Sequence, residues 1–229
     1  MIKRWFGVLL VFGFILMTCA SCGRSNRAAT MVILGNSLTA GHGAVIPGED
    51  NMEKSVPAFL QSKINIPIIN AGVSGNTTAQ GFARVSTDVL PHNPRIVIIE
   101  LGANDLLQNV PLPEIHENLQ KIIDLVNDGN RKIFLVKFYT DIVARNLVAS
   151  LFNLTDYDQQ TAVINQYEEM FNTLAASNNA ELIDDIWTGV WGIHMSDHMH
   201  PDERGYRIMA DNYFNALKPY LQANNLLTE

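Results

Sequence analysis

The pentapeptide Gly35-Asn36-Ser37-Leu38-Thr39 follows directly on the apolar run Met31-Val32-Ile33-Leu34, which leaves the Ser37 hydroxyl at the C-terminal end of an expected buried strand. That edge is where an α/β sheet carries its chemistry. Ser37 can attack a carbonyl if the chain also supplies a base for its proton, a group to orient that base, and donors for the developing oxyanion. The same pentapeptide is equally readable as an ordinary helix start capped by a Ser or Thr. Gly35 permits a tight turn, and the small residues Ala40, Gly41 and Gly43 leave room for a ligand to approach.

Candidates for all three aids lie further along the chain. Ser196-Asp197-His198-Met199-His200-Pro201 places a carboxylate three residues before an imidazole, so one turn can carry both, with Asp197 fixing the His200 tautomer and stabilising its charged form. Pro201 suits the first position of a following helix. A competing reading takes His194, Asp197, His198 and His200 as ligands of zinc or another transition metal, although only His194 and His198 have helical i,i+4 spacing. Asn70-Ala71-Gly72-Val73-Ser74-Gly75-Asn76-Thr77-Thr78 reads as a turn into a helix whose first amides are free to meet an anion. It reads also as a plain helix start capped by Asn76 or Thr77. In Glu100-Leu101-Gly102-Ala103-Asn104-Asp105 the Asn104 amide can extend over a strand end, or the Asn-Asp pair can simply make a turn.

The elements that must position these residues are legible as alternating patterns. Short apolar runs at 31–34, 66–69, 96–101, 132–138 and, more weakly, 180–183 have the nearly continuous hydrophobicity of strands buried on both faces. Amphipathic segments at 55–62, 77–90, 112–127, 158–176 and 201–221 separate them, and Ile115, Leu119, Ile122, Ile123 and Val126 form one stripe on the third. Five β-α repeats imply a three-layer α/β/α sandwich with right-handed crossovers. The long interruption from Tyr139 to Tyr157 is where an insertion over the substrate is expected. Trp187, Trp191, Phe138 and the Leu147–Leu154 run are candidates for an apolar acyl groove, or for core.

The 229 residues, 47% of them hydrophobic, suffice for one domain with a substantial core. Residues 1–21 combine the basic Lys3-Arg4 with an apolar run from Trp5 to Met17, too short for a comfortable span, and so read as an export signal. Both cysteines, Cys19 and Cys22, lie at its end, and Ala20-Ser21-Cys22 resembles a bacterial lipobox in which Cys22 would carry the lipid, with Cys19 atypical where Leu is usual. Gly23 in place of aspartate points to an outer-membrane rather than inner-membrane destination, so the expectation is an exported, periplasmic or outer-membrane lipoprotein. Residues 22–29 form a tether, 30–222 the domain, and 223–229 a tail. The net charge of −7 comes from 16 basic and 23 acidic residues; without Lys3 and Arg4 it becomes −9. Such a surface repels phosphate backbones and argues against nucleic-acid binding.

In their order at successive strand ends, the four blocks resemble the SGNH (GDSL) hydrolase family. Gly35-Asn36-Ser37-Leu38 stands for its nucleophile block, Gly75 for its glycine, Gly102-Ala103-Asn104-Asp105 for its asparagine block, and Asp197-His198-Met199-His200 for its D-x-x-H block. The likeness covers about residues 30–222 and is closest to the bacterial arylesterase, thioesterase and lysophospholipase branch. It implies a flavodoxin-like five-stranded parallel sheet ordered 2-1-3-4-5, with Ser37 as nucleophile, His200 as base and Asp197 as its partner. It further implies an oxyanion hole from Ser37 N, Gly75 N and the Asn104 amide, and a reaction without cofactor or metal. The nucleophile block lacks the second glycine of a G-x-S-x-G elbow, so this is not the α/β-hydrolase arrangement. Asn36 and Asn76 stand where the family usually, or the branch often, has Asp; an amide replaces the acceptor but not the charge. The expected substrates are aryl, short-chain fatty or lysophospholipid esters, with O-acetylated glycans as the alternative. A noncatalytic envelope lipoprotein binding a metal or glycan through its histidines is the rival from another class.

Overall fold

The computed structural model describes residues 30–138 and 156–228. The parallel strands β1 (Met31–Gly35), β2 (Ile68–Gly72), β3 (Ile96–Glu100), β4 (Lys132–Val136) and β5 (Glu181–Ile183) stand in the order β2-β1-β3-β4-β5. The expected sheet order is therefore the observed one. β1 and β3 are buried at every residue, which is why their sequences read as unbroken apolar runs. Ile33, Ile98 and Phe134 form one rung across β1, β3 and β4, and each is fully buried. Burying such a side chain contributes about 1.5–3 kcal/mol.

Helices cover both faces. α1 (Ser37–Ala40) and α2 (Val56–Gln61) follow β1, α3 (Thr78–Ala83) and α4 (Val85–Asp88) follow β2, and α5 (Ala103–Leu107) and α6 (Leu112–Val126) follow β3. α7 (Tyr157–Asn178) precedes β5, and α8 (Glu203–Ala223) closes the fold. α2 packs on α8, whereas α3, α4 and α7 gather around α6. The Ile115–Val126 stripe of α6 is buried as its spacing requires. Among the described residues no helix is long and apolar enough to cross a membrane. Residues 1–29, with the expected signal, lipobox and tether, lie outside the described residues, as does the covering segment expected after Tyr139.

Three elements differ from the sequence expectation in ways that matter for the site. β2 begins at Ile68 and runs through Asn70-Ala71-Gly72, which the sequence reads as a turn. Pro67 has no N–H to give a ladder, while Asn70, Ala71 and Gly72 pair with Ile33, Leu34 and Gly35 of β1. The helix expected over 77–90 is broken at Arg84, whose backbone (φ −108°, ψ 5°) leaves the helical region as its guanidinium turns back to the strand ends. α8 starts at Glu203 rather than Pro201, because the Asp202 side chain accepts from Gly205 N at 2.7 Å and caps it. Pro201 instead forms an antiparallel bridge with Met195.

Candidate active site

Register brings the pieces to one edge. Gly35 is level with both Gly72 of β2 and Glu100 of β3, so the loops after β1, β2 and β3 leave the sheet side by side. A Cβ on Gly72 would run into the backbone of Thr39 and Ala40, which allows α1 to pass directly over the end of β2.

The cap of α1 is Asn36, not Ser37. Its Oδ1 accepts from Leu38 N at 3.1 Å, leaving Ser37 as the first helical residue with its hydroxyl uncommitted to capping. His200 Nε2 lies 3.0 Å from Ser37 Oγ, and His200 Nδ1 lies 2.8 Å from Asp197 Oδ2. Asp197 is itself anchored, since Oδ1 accepts from Met199 N at 2.7 Å and His200 N at 2.8 Å. One carboxylate thus shapes the turn that carries the imidazole and also holds the ring. Because Asp197 can only accept, Nδ1 carries the proton and Nε2 presents a lone pair to the serine.

Electrostatics agree with that assignment. Burial lowers the pKa of His200 against the opposing pull of Asp197, and the neighbouring His42 and His198 lower it further, so the ring is neutral near pH 7. Burial alone would raise Asp197, but the hydrogen bonds from the His200 ring and from the Met199 and His200 amides outweigh it and hold the carboxyl below its ordinary value.

Gly75 and Asn104 come to the same edge from the other two loops. Gly75 has φ +81°, a left-handed conformation that glycine adopts without Cβ strain. Asn104 Nδ2 donates one hydrogen to Asn76 O at 2.9 Å, which fixes the amide and leaves its second hydrogen. Among the described residues no hydrogen bond engages Ser37 N or Gly75 N. Thr77 caps α3 in a reciprocal box with Gln80, and Asp105 accepts from Thr78 N at 2.8 Å and Thr78 Oγ1 at 2.5 Å, tying α5 to α3. Arg84 braces the whole edge. It donates to Gly35 O, Ala71 O and Asn76 Oδ1, each at 2.7 Å, so one guanidinium joins the ends of β1 and β2 to the loop beyond Gly75.

Two residues near this edge escaped the sequence reading. Glu100 ends β3 with 2% exposure, and its Oε2 accepts from Thr39 Oγ1 at 2.9 Å and Asn36 N at 3.3 Å. Burial pushes its carboxyl up to about 7 despite these bonds. The signal was an acid closing an Ile-Val-Ile-Ile run. Asn36 Nδ2, beside it, is buried without a hydrogen bond, although the amide dipole still favours ionised Glu100. His42 packs on His200 with ring centroids 4.5 Å apart, outside the line from Ser37 to Asp197, and no local pattern marked it.

The histidine cluster of the sequence reading does not converge. His194 faces Asp202 at 3.9 Å, and among the described residues the three-residue group with metal-ligand spacing is His42, Asp197 and His200, without His194 or His198. The expected apolar groove is also revised. Trp187 is 2% exposed and donates from Nε1 to Phe138 O at 2.7 Å, so it belongs to the core, with Trp191 edge-on against it. Leu147–Leu154 lies outside the described residues. Leu38, Ala103, Phe138 and Met199 do flank Ser37 and His200. A larger cavity, about 530 Å³, opens between α6 and α7 around Leu112, His116 and Met170 and contains none of these residues.

The chain is 33% identical over 131 residues to an arylesterase of Vibrio mimicus, covering 57% of this chain and 64% of that one. It is 33% identical over 116 residues to thioesterase 1/protease 1/lysophospholipase L1 of Escherichia coli K12, covering 50% and 53%. The chain therefore spans between half and two thirds of the length of these relatives. In three dimensions it superposes on the psychrotrophic esterase EstA from Pseudoalteromonas sp. with a TM-score of 0.66, covering 84% of this chain and 98% of that one at 23% identity, a likeness of fold. The model of the GDSL-like lipase/acylhydrolase family matches residues 33–208, most of the described fold and all the residues assembled at its edge, and to that family the chain belongs.

Proposed function

We propose that the chain is a serine ester hydrolase in which Ser37 is the nucleophile, His200 the general base and then acid, and Asp197 its orienting partner. The 3.0 Å approach of His200 Nε2 to Ser37 Oγ, with Asp197 on the opposite ring nitrogen, carries this reading. As Oγ attacks the ester carbonyl, its proton passes to Nε2 and Asp197 stabilises the imidazolium. The carbonyl oxygen takes up negative charge facing Ser37 N, Gly75 N and the remaining Asn104 amide hydrogen. Each well-placed donor of this kind is worth about 10²–10³ in rate. The imidazolium then protonates the leaving alcohol, and water, deprotonated by the same ring, releases the acid from the acyl-serine. No step calls for a cofactor.

For substrates the reading favours aryl, short-chain fatty or lysophospholipid esters. The apolar Leu38, Phe138 and Met199 beside Ser37 support it, as do the names of the two 33%-identical relatives. We place the protein outside the cytoplasm, tethered by a lipid at Cys22, on the strength of Lys3-Arg4, the apolar run and Ala20-Ser21-Cys22. The test is a fluorophosphonate probe together with a panel of p-nitrophenyl esters of graded acyl length, lysophospholipid and acetylated sugars. Wild type is expected to label at Ser37 and cleave the first two classes, and Ser37→Ala to do neither. Absence of labelling in wild type overturns the esterase reading, and selective cleavage of acetylated sugars replaces the substrate class.

A further inference from the structure

We propose that His42, Asp197 and His200 bind one divalent transition-metal ion of the zinc class, and that its binding shuts off hydrolysis by depriving Ser37 of the His200 lone pair; the inhibitory half of this inference rests on the esterase reading above. The three residues can each offer one ligand atom, and those atoms lie within 4.8 Å of one another. Two imidazoles and a carboxylate suit such ions. Tetrahedral coordination at about 2.0–2.2 Å sets ligand atoms roughly 3.4 Å apart, so binding requires the three residues to draw closer together around the ion.

The surroundings of His42 resemble those of a metal ligand more than those of a packing residue. Asp50 Oδ1 lies 2.6 Å from His42 Nδ1 and accepts from Ser74 Oγ at 2.6 Å. A carboxylate on Nδ1 fixes the tautomer and leaves Nε2 with a free lone pair, which is how second-sphere carboxylates prepare histidines for metals. Asp197 Oδ2 lies 2.8 Å from His200 Nδ1, so an ion shared by these two residues is taken on Nδ1. Two such carboxylate-held rings stand with centroids 4.5 Å apart. The path for an ion is open, since the His42, Asp197 and His200 side chains are 21%, 32% and 15% exposed.

Inhibition follows from the nitrogen that the ion takes. A neutral imidazole that gives its Nδ1 lone pair to an ion carries its one proton on Nε2, so no lone pair is left to accept the serine proton, and the cation opposes the imidazolium that proton transfer would create.

The experiment titrates ZnCl₂ into the full chain by calorimetry, in parallel with p-nitrophenyl acetate hydrolysis and with the visible spectrum of Co²⁺ as an activity-independent probe. Wild type is expected to take one ion per chain, to lose hydrolysis in proportion to occupancy, and to recover it with EDTA. His42→Phe keeps a ring in place and is expected to hydrolyse normally without metal at about pH 8, yet to bind zinc at least about tenfold more weakly. Asp50→Asn is expected to weaken binding by about 10- to 100-fold. Unchanged zinc affinity in His42→Phe, or no stoichiometric binding by wild type at millimolar zinc, overturns the proposal. Failure of metal-free wild type to hydrolyse any ester counts against the esterase reading, while calorimetry and the Co²⁺ spectrum still decide the site.

Discussion

Glu100 makes a measurable claim about stability. Its carboxyl stands at about 7 in the folded chain against an ordinary 4.5, because burial at the end of β3 penalises the charge more than Thr39 and Asn36 stabilise it. Between those values the native state holds a proton that the unfolded chain has released. Stability is therefore full below pH 4.5 and falls as pH rises toward 7. At 1.36 kcal/mol per pH unit the gap from 4.5 to about 7 corresponds to about 3 kcal/mol, of which about 2.5 kcal/mol is lost between pH 5 and pH 8. Glu100→Gln removes the titration and keeps an acceptor for Thr39 Oγ1, at a constant cost of about 1–3 kcal/mol for the amide group left without a partner. Urea unfolding of both proteins, followed by tryptophan fluorescence at pH 5 and pH 8, isolates the residue because every other titrating group is common to both. The stability of wild type relative to Glu100→Gln should fall by about 2.5 kcal/mol over that range. A difference that stays constant within about 0.5 kcal/mol would show that Glu100 titrates alike in both states and would refute the argument.

Further outcomes follow from the same edge. Asp197→Asn keeps an acceptor for the Met199 and His200 amides but turns an NH₂ toward His200 Nδ1, forcing the proton onto Nε2; steady-state kinetics should show kcat down by about 10⁴ with KM little changed. With His200 as the proposed base, activity requires its neutral ring, whose pKa burial lowers, so the acid limb of the kcat/KM profile should have its midpoint below 6.5, and a midpoint above that value contradicts the site electrostatics. Asn36→Asp keeps the Leu38 cap but sets a second carboxylate against buried Glu100 and beside Ser37. We expect it to shift the pH profile toward higher pH by favouring charged His200, and the idea fails if activity and profile are both unchanged.

What the sequence revealed was whatever depends on local pattern. Apolar runs marked the strands, their alternation with helices the layered α/β/α architecture, the family resemblance the strand order, and the four blocks at strand ends the residues that meet. What stayed hidden depends on partners distant along the chain. Ser37 and Asn36 are both good helix caps, and only the fold shows the cap on Asn36. The break at Arg84 answers three acceptors at 35, 71 and 76, which no helical periodicity records. The crowded histidines at 194, 198 and 200 suggested a cluster, but the true neighbour of His200 is His42, far away in sequence and adjacent in space. Trp187 illustrates the same limit, since a tryptophan suits a groove and a core equally until Phe138 O is seen to take its N–H.

The bond between His200 and Ser37 spans 163 positions, and the nearby Tyr206 hydroxyl reaches His42 O across 164. β1, β2 and β3 can pair over much shorter stretches, with Ser37 already at its strand end while His200 is still absent. Closing so long a loop is entropically the late and costly part of assembly. The chain is thus built like a clasp whose hook and eye lie far apart along the strap: sheet formation alone leaves it open, and the contact of His200 with Ser37 reports that the whole length has found its place.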